Sequence, residues 1–215
     1  MNSLMGGLQS RGWRQVMKGL ELTRKFLPLI TISDLDDCEP LGEVLVKGNI
    51  SFIEIAYRND LATEAIRKMS KYPGLCAGAG TVITGKQAEE AVNAGAQFLV
   101  SPGFAPEAAA YASEHDVPYY PGVVTPTDII AAVNAGYTDL KFFPAGAYGG
   151  IATLKALKGP FPYVRFLPTG GVSKDNYREY LAQDNVFAVG GSFILPGKYV
   201  KAKDWEGLLQ YIAEL

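Results

Sequence analysis

The chain has 215 residues, 48% apolar and 20% charged, an ordinary globular balance that excludes disordered and collagen-like classes and suits one large domain or, less simply, two small ones. Its 20 basic and 22 acidic residues leave a formal charge of -2, and the basic ones are scattered rather than banked, which excludes nucleic acid as a partner. No run approaches the roughly 20 apolar residues of a membrane span and the start lacks a signal-peptide core, so a cytoplasmic protein with no membrane partner is expected.

In chain order, residues 1–25 read as a helical segment packed on a domain that occupies 26–215. From there, eight short apolar or β-branched runs predict strands: "FLPLITI" from Phe26, "SFIEIA" from Ser51, "LCAGAG" from Leu75, "QFLVSPG" from Gln97, "PYYPGV" from Pro118, "DLKFFPA" from Asp139, "VRFLPTGG" from Val164 and "VFAVGGS" from Val186. Most intervals carry a helical period that closes on a glycine suited to a helix end, as in "GKQAEEAVNAG" and "PTDIIAAVNAG". The segments "VNAGAQFLVSPG" and "VNAGYTDLKFFPAG" repeat one helix–glycine–strand unit. Strands separated by helices run parallel, so eight such units predict a single-domain α/β protein of the (β/α)8 TIM-barrel type.

An open doubly wound sheet is the structural rival. Against it, "GAGTVI" has Ile83 where the third glycine of a dinucleotide fingerprint would stand. "GTVITGKQ" matches a P-loop only as far as Lys86, because Gln87 replaces the hydroxyl that would meet magnesium. Thr84 is instead predicted to cap a helix beginning near Lys86. Cys38 and Cys76 have no CxxC or metal spacing and are expected to stay reduced.

In such a barrel the reactive groups gather where strands end. Glu54 lies between Ile53 and Ile55, and alternation puts Glu54, Ala56 and Arg58 on one face if the strand runs that far, so that a carboxylate and a guanidinium would share a cavity. Lys141 lies between Leu140 and Phe142; if those face the helices, its amine faces inward. A buried amine is held closer to its neutral, nucleophilic form, the form that makes a Schiff base. The plainer reading is a structural ion pair between Lys141 and Glu54. The seventh and eighth strands end in "PTGGV" and "VGGS", which places Thr169, Gly170, Gly171, Gly190, Gly191 and Ser192 where this fold often holds a phosphate. His115 is the sole histidine, and no G-x-S-x-G occurs, so a His-ligated metal or a Ser-His-Asp triad has little to draw on.

Together "FIEIAYR", "GAGTV", "VSPGF", "PGVVTPTD", "LKFFPAG", "GPFP", "RFLPTGGV" and "VGGSF", in order from about Pro28 to Pro196, resemble the 2-keto-3-deoxy-6-phosphogluconate aldolase family, which includes 4-hydroxy-2-oxoglutarate aldolases. The resemblance implies a class I aldolase, usually a homotrimer and needing no metal or other cofactor. It would cleave the phosphorylated keto-sugar acid to pyruvate and glyceraldehyde 3-phosphate, and 4-hydroxy-2-oxoglutarate to pyruvate and glyoxylate. It further implies Lys141 as the Schiff-base lysine and Glu54 as general acid/base. Arg58 and Thr81 would bind the pyruvyl carboxylate, Pro102 and Phe143 would line the pocket, and Gly170, Gly171 and Ser192 would hold the phosphate, with Thr169 nearby.

The chain departs from the family's usual pattern at four places. Ala56 and Asn59 stand where threonines are common, Gly146 where a glutamate follows "F-P-A", and Leu167 where a cysteine is frequent. Two alternatives stay open: an aldolase for the 6-phosphogalactonate epimer, and a non-covalent phosphate-binding barrel isomerase or decarboxylase in which Lys141 forms only an ion pair.

Overall fold

The computed structural model describes residues 25–215. The N-terminal helical segment expected over 1–25 therefore lies, apart from Lys25, outside the described residues. Within them, nine short strands, all paired in parallel, alternate with helices: β1 (Phe26–Ile30), β2 (Phe52–Ala56), β3 (Cys76–Gly80), β4 (Leu99–Val100), β5 (Tyr119–Tyr120), β6 (Gly122–Val123), β7 (Asp139–Phe142), β8 (Arg165–Pro168) and β9 (Val189–Gly191). They form one run in the order β5-β4-β3-β2-β1-β9 and another in the order β6-β7-β8. The parallel sheet is curled into a half-barrel. Isolated parallel bridges pair Phe166 with Val186 and Thr169 with Gly190.

All eight predicted strand positions carry a strand, but the fifth is two pieces. Pro121 has no N–H to give to a ladder and so interrupts "YYPGV". Its carbonyl still accepts the Lys141 N–H at 2.9 Å.

The helices are α1 (Cys38–Lys47), α2 (Ala62–Met69), α3 (Gly85–Ala94), α4 (Pro106–Glu114), α5 (Pro126–Asn134), α6 (Gly150–Lys158), α7 (Tyr177–Leu181), α8 (Gly197–Ala202) and α9 (Trp205–Ala213). Local chemistry sets several of their ends. The Thr84 hydroxyl accepts the Gln87 N–H at 3.2 Å and caps α3, whose far end is Gly95 in the left-handed region. α5 opens with a reciprocal Thr125–Asp128 capping box and Pro126 in its first turn.

Two hydrophobic layers follow from strand alternation. Ile53 and Ile55 of β2, with Leu140 and Phe142 of β7, belong to the core that packs against the helices. On the opposite, inner face a second cluster gathers Leu27, Phe52, Phe98, Val100, Tyr120 and Leu167 with Phe187 and Ala188. Its rings meet at 6.1–6.3 Å, Phe98 touching both Phe52 and Tyr120, and Tyr120 touching Phe187. At the start of β7 and β8, the Arg165 guanidinium donates twice to Asp139, each bond 2.8 Å, and lies 5.3 Å from the Phe187 ring centroid. Glu54 and Lys141 face inward from the middle of β2 and β7.

Candidate active site

Register positions the pair. Glu54 stands opposite Leu29 of β1 and Gly78 of β3, while Lys141 stands opposite Gly122 of β6 and Leu167 of β8. The two side chains meet across the inside of the curled sheet. Lys141 Nζ donates to Glu54 Oε1 at 3.1 Å, with the lysine 4% and the glutamate 0% exposed. The other ion pairs described keep at least one partner well exposed, so this one carries a desolvation penalty that they avoid. Glu54 Oε2 is fully buried and accepts no hydrogen bond among the described residues. One carboxylate oxygen thus orients the amine, and the other is open to a proton or a bound molecule.

Phe143 follows at the end of β7, half-buried, its ring centroid 5.4 Å from Lys141 Nζ. Pro102, in the loop after β4, is half-buried as well. Thr81 is the first residue beyond β3 and has φ +58°, a left-handed conformation that a β-branched side chain rarely adopts. Such strain is held where surrounding contacts over-determine the backbone. Here the flanking residues supply them: the Tyr57 N–H donates to the Gly80 carbonyl at 2.8 Å, and the Val82 N–H to the Val100 carbonyl at 3.1 Å.

For Arg58 the condition of strand length is not met. β2 ends at Ala56, where the Arg58 N–H turns back onto the Ala56 carbonyl at 2.9 Å, so the alternation that would have carried Arg58 onto the Glu54 face stops two residues short. Its side chain is exposed in the loop at the C-terminal end of the strand, while Glu54 pairs with Lys141.

The two glycine-bearing ends lie side by side. Thr169, buried, bridges to Gly190, and Gly190 and Gly191 are buried at the end of β9, while Ser192 is exposed at the start of a short 3-10 turn. Gly170 and Gly171 have φ +81° and +82°, two successive left-handed residues that only glycine adopts at low cost. A third loop joins them: the Ala145 and Gly146 N–H groups donate to the carbonyls of Thr169 and Gly170, each at 2.8 Å. A side-chain carbon on Gly146 would stand 3.1 Å from Gly171 Cα, so glycine at this position lets the β7 and β8 loops lie close together.

Sequence reasoning missed that contact and a second one. The Asn59 amide donates to the Ile32 carbonyl at 2.7 Å while its oxygen accepts the Leu61 N–H at 3.2 Å, tying the loop after β2 to the loop after β1. The only signal for either in the sequence is that both positions depart from the family pattern.

The remaining reactive residue types stand apart. Cys38 and Cys76 are free thiols, pushed up by burial to about 11 and about 12 respectively, which keeps them protonated at neutral pH. His115 is exposed at the end of α4, stacked on Tyr111. Among the described residues no three His, Cys, Asp or Glu side chains converge as they would around a metal ion, and no helix is long and apolar enough to cross a membrane.

Comparison with known proteins bears on this arrangement. Residues 18–211 match the family described as "Aldolase: KDPG and KHG aldolase". The KHG/KDPG aldolase of Escherichia coli K12 is 36% identical over 205 residues, 95% of this chain and 96% of that one. A crystal structure of KDPG aldolase from Legionella pneumophila, with pyruvate captured at low pH as a covalent carbinolamine intermediate, superposes with a TM-score of 0.86 at 38% identity, covering 90% of this chain and 95% of the other. The 2-keto-3-deoxy-6-phosphogluconate aldolase of Zymomonas mobilis ZM4 with 3-phosphoglycerate gives a TM-score of 0.87 at 33% identity, covering 94% of each chain.

Proposed function

The chain belongs to the KDPG and KHG aldolase family, and from that premise we propose how its own residues carry the reaction. It is a lyase that cleaves 2-keto-3-deoxy-6-phosphogluconate to pyruvate and glyceraldehyde 3-phosphate; 4-hydroxy-2-oxoglutarate is the companion substrate of the family. The observation that carries the assignment of roles is the buried Lys141–Glu54 contact at 3.1 Å. An amine with a carboxylate in hydrogen-bond reach has both the nucleophile and the proton acceptor that imine chemistry needs.

Lys141 gives up a proton to Glu54 and attacks the C2 carbonyl to form a carbinolamine. Protonation of its hydroxyl and loss of water leave an iminium. Deprotonation of the C4 hydroxyl then lets the C3–C4 bonding pair flow into the iminium, which becomes an enamine as the aldehyde departs. Proton return to C3 and hydrolysis of the pyruvate imine free the lysine. Glu54, through its unpartnered Oε2, is the group that moves these protons.

Arg58 and Thr81, in the loops that follow β2 and β3, are the carboxylate ligands in this reading. Exposure leaves the Arg58 fork able to swing onto an entering anion. Pro102 and Phe143 bound the pyruvyl group. Gly170, Gly171, Gly190, Gly191 and Ser192 hold the phosphate, with Thr169 beneath them. We read the curled sheet as a closed (β/α)8 barrel: the bridges from Phe166 and Thr169 support joining β8 to β9, and chain continuity through Pro121 supports joining β5 to β6. A cytoplasmic homotrimer completes the reading.

The test is mass spectrometry of the protein after incubation with pyruvate and borohydride. A reduced pyruvyl adduct on the peptide containing Lys141 is expected; no adduct on folded protein would favour the non-covalent isomerase or decarboxylase. The phosphate loop has its own test in Gly171→Ala, where the added carbon would lie 2.8 Å from Gly146 Cα at a left-handed φ. KM for the phosphorylated substrate is expected to rise about tenfold, on ~1.5 kcal/mol for a disturbed hydrogen bond to a charged group. Pyruvate trapping should be unchanged, and an unaltered KM would remove the loop from phosphate binding.

A further inference from the structure

We propose that Gly80 is a positioning residue for this reaction: its missing side chain is the space in which the Glu54 carboxylate is held within reach of Lys141. The inference rests on the assignment of Lys141 and Glu54 as the reacting pair.

Alternation in β3 sends Ala77 and Ala79 to the helices and leaves Gly78 and Gly80 on the inner face. Each glycine makes room for a different neighbour. A side-chain carbon on Gly78 would meet the Phe98 ring at 2.3 Å, which concerns packing alone. One on Gly80 would stand 2.2 Å from Glu54 Oε1, 2.5 Å from Cγ and 2.7 Å from Cδ.

Backbone conformation does not explain the second glycine. Gly80 closes a strand and is absent from the positive-φ glycines, so any residue could adopt its conformation. Nor is the strand free to retreat. Gly80 is in register with Ala56, its carbonyl accepts the Tyr57 N–H at 2.8 Å, and the strained Thr81 follows directly. A methyl group there would have to be relieved by the glutamate side chain. The oxygen it would displace first, Oε1, is the one that accepts from Lys141 Nζ. Gly80 therefore touches no reacting atom of the substrate, yet sets where the proton-transferring group lies.

A double-variant cycle in the full chain tests this, with pyruvate release measured for wild type, Gly80→Ala, Glu54→Gln and the pair. Gly80→Ala is expected to lower kcat on the order of 100-fold in the wild-type background, as a misplacement of about 1 Å can, with KM little changed. On top of Glu54→Gln it should cost about threefold or less, because the two act as a unit. Equal losses in both backgrounds, or a folded Gly80→Ala with near wild-type kcat, would overturn the proposal. Should Gly80→Ala fail to fold, thermal unfolding of Glu54→Ala with and without it decides. Folding of the pair, where the carboxylate is gone, upholds the proposal, and failure of the pair beside a folded Glu54→Ala overturns it. Wild-type protein that released no pyruvate would remove the aldolase reading itself, and this inference with it.

Discussion

Lys141→Ala is expected to abolish aldol cleavage, lowering kcat on the order of 10^4- to 10^6-fold, the range seen when an enzyme loses its nucleophile or the group that activates it. No other lysine is described within a strand, so no described strand offers a second amine. The variant should also be less stable, because it leaves Glu54 fully buried without its cation. Breaking a buried pair from one side costs about 3–5 kcal/mol, whereas removing both charges together can be close to neutral. Lys141→Met/Glu54→Gln, equally inactive but nearer to wild type in thermal unfolding, therefore separates loss of chemistry from loss of fold. Appreciable pyruvate release by folded Lys141→Ala, followed in a coupled assay, would contradict imine catalysis.

Glu54→Gln is the second large effect, an expected fall in kcat of about 10^2- to 10^4-fold, the usual contribution of a positioned acid or base. The amide keeps the volume that fills the space over Gly80, and its oxygen can still accept from Lys141. What it cannot do is accept and return a proton. Imine formation needs proton transfer too, so borohydride should still trap pyruvate on Lys141, though more slowly than in wild type. The contrast between a retained adduct and a depressed turnover is the signature sought by combining trapping with steady-state rates. Wild-type turnover by Glu54→Gln would take Glu54 out of the mechanism and leave it the structural role of a buried counter-ion.

Both substitutions address residues that stand out in the sequence alone, and the reason is local. A strand shows its two faces through a period of two, so Lys141 between Leu140 and Phe142, and Glu54 between Ile53 and Ile55, can be assigned to the inner face from immediate neighbours. The Thr84 cap and the Gly95 helix end are legible for the same reason, being hydrogen bonds and dihedral preferences contained within a few residues. Extrapolation past the local signal fails. Alternation has no marker for its own last residue, so it could place Arg58 beside Glu54 only on the condition that the strand ran past Ala56, where it stops. Pro121 is visible in the sequence, but not that its carbonyl stays in the ladder beside Lys141.

Local signals suffice for the parallel strand–helix alternation, the inward direction of Lys141 and Glu54, and the glycine pairs at the last two strand ends, because each depends on side-chain period or on the conformational range of one residue. An ion pair between Lys141 and Glu54 can be read from the sequence, but its 3.1 Å geometry, the bare Oε2, the junction of Gly146 with Gly170 and Gly171, and the space above Gly80 belong to the tertiary fold. Those depend on how far the sheet curls and in what register its strands pair, quantities set by the packing of the whole inner layer and carried by no single segment.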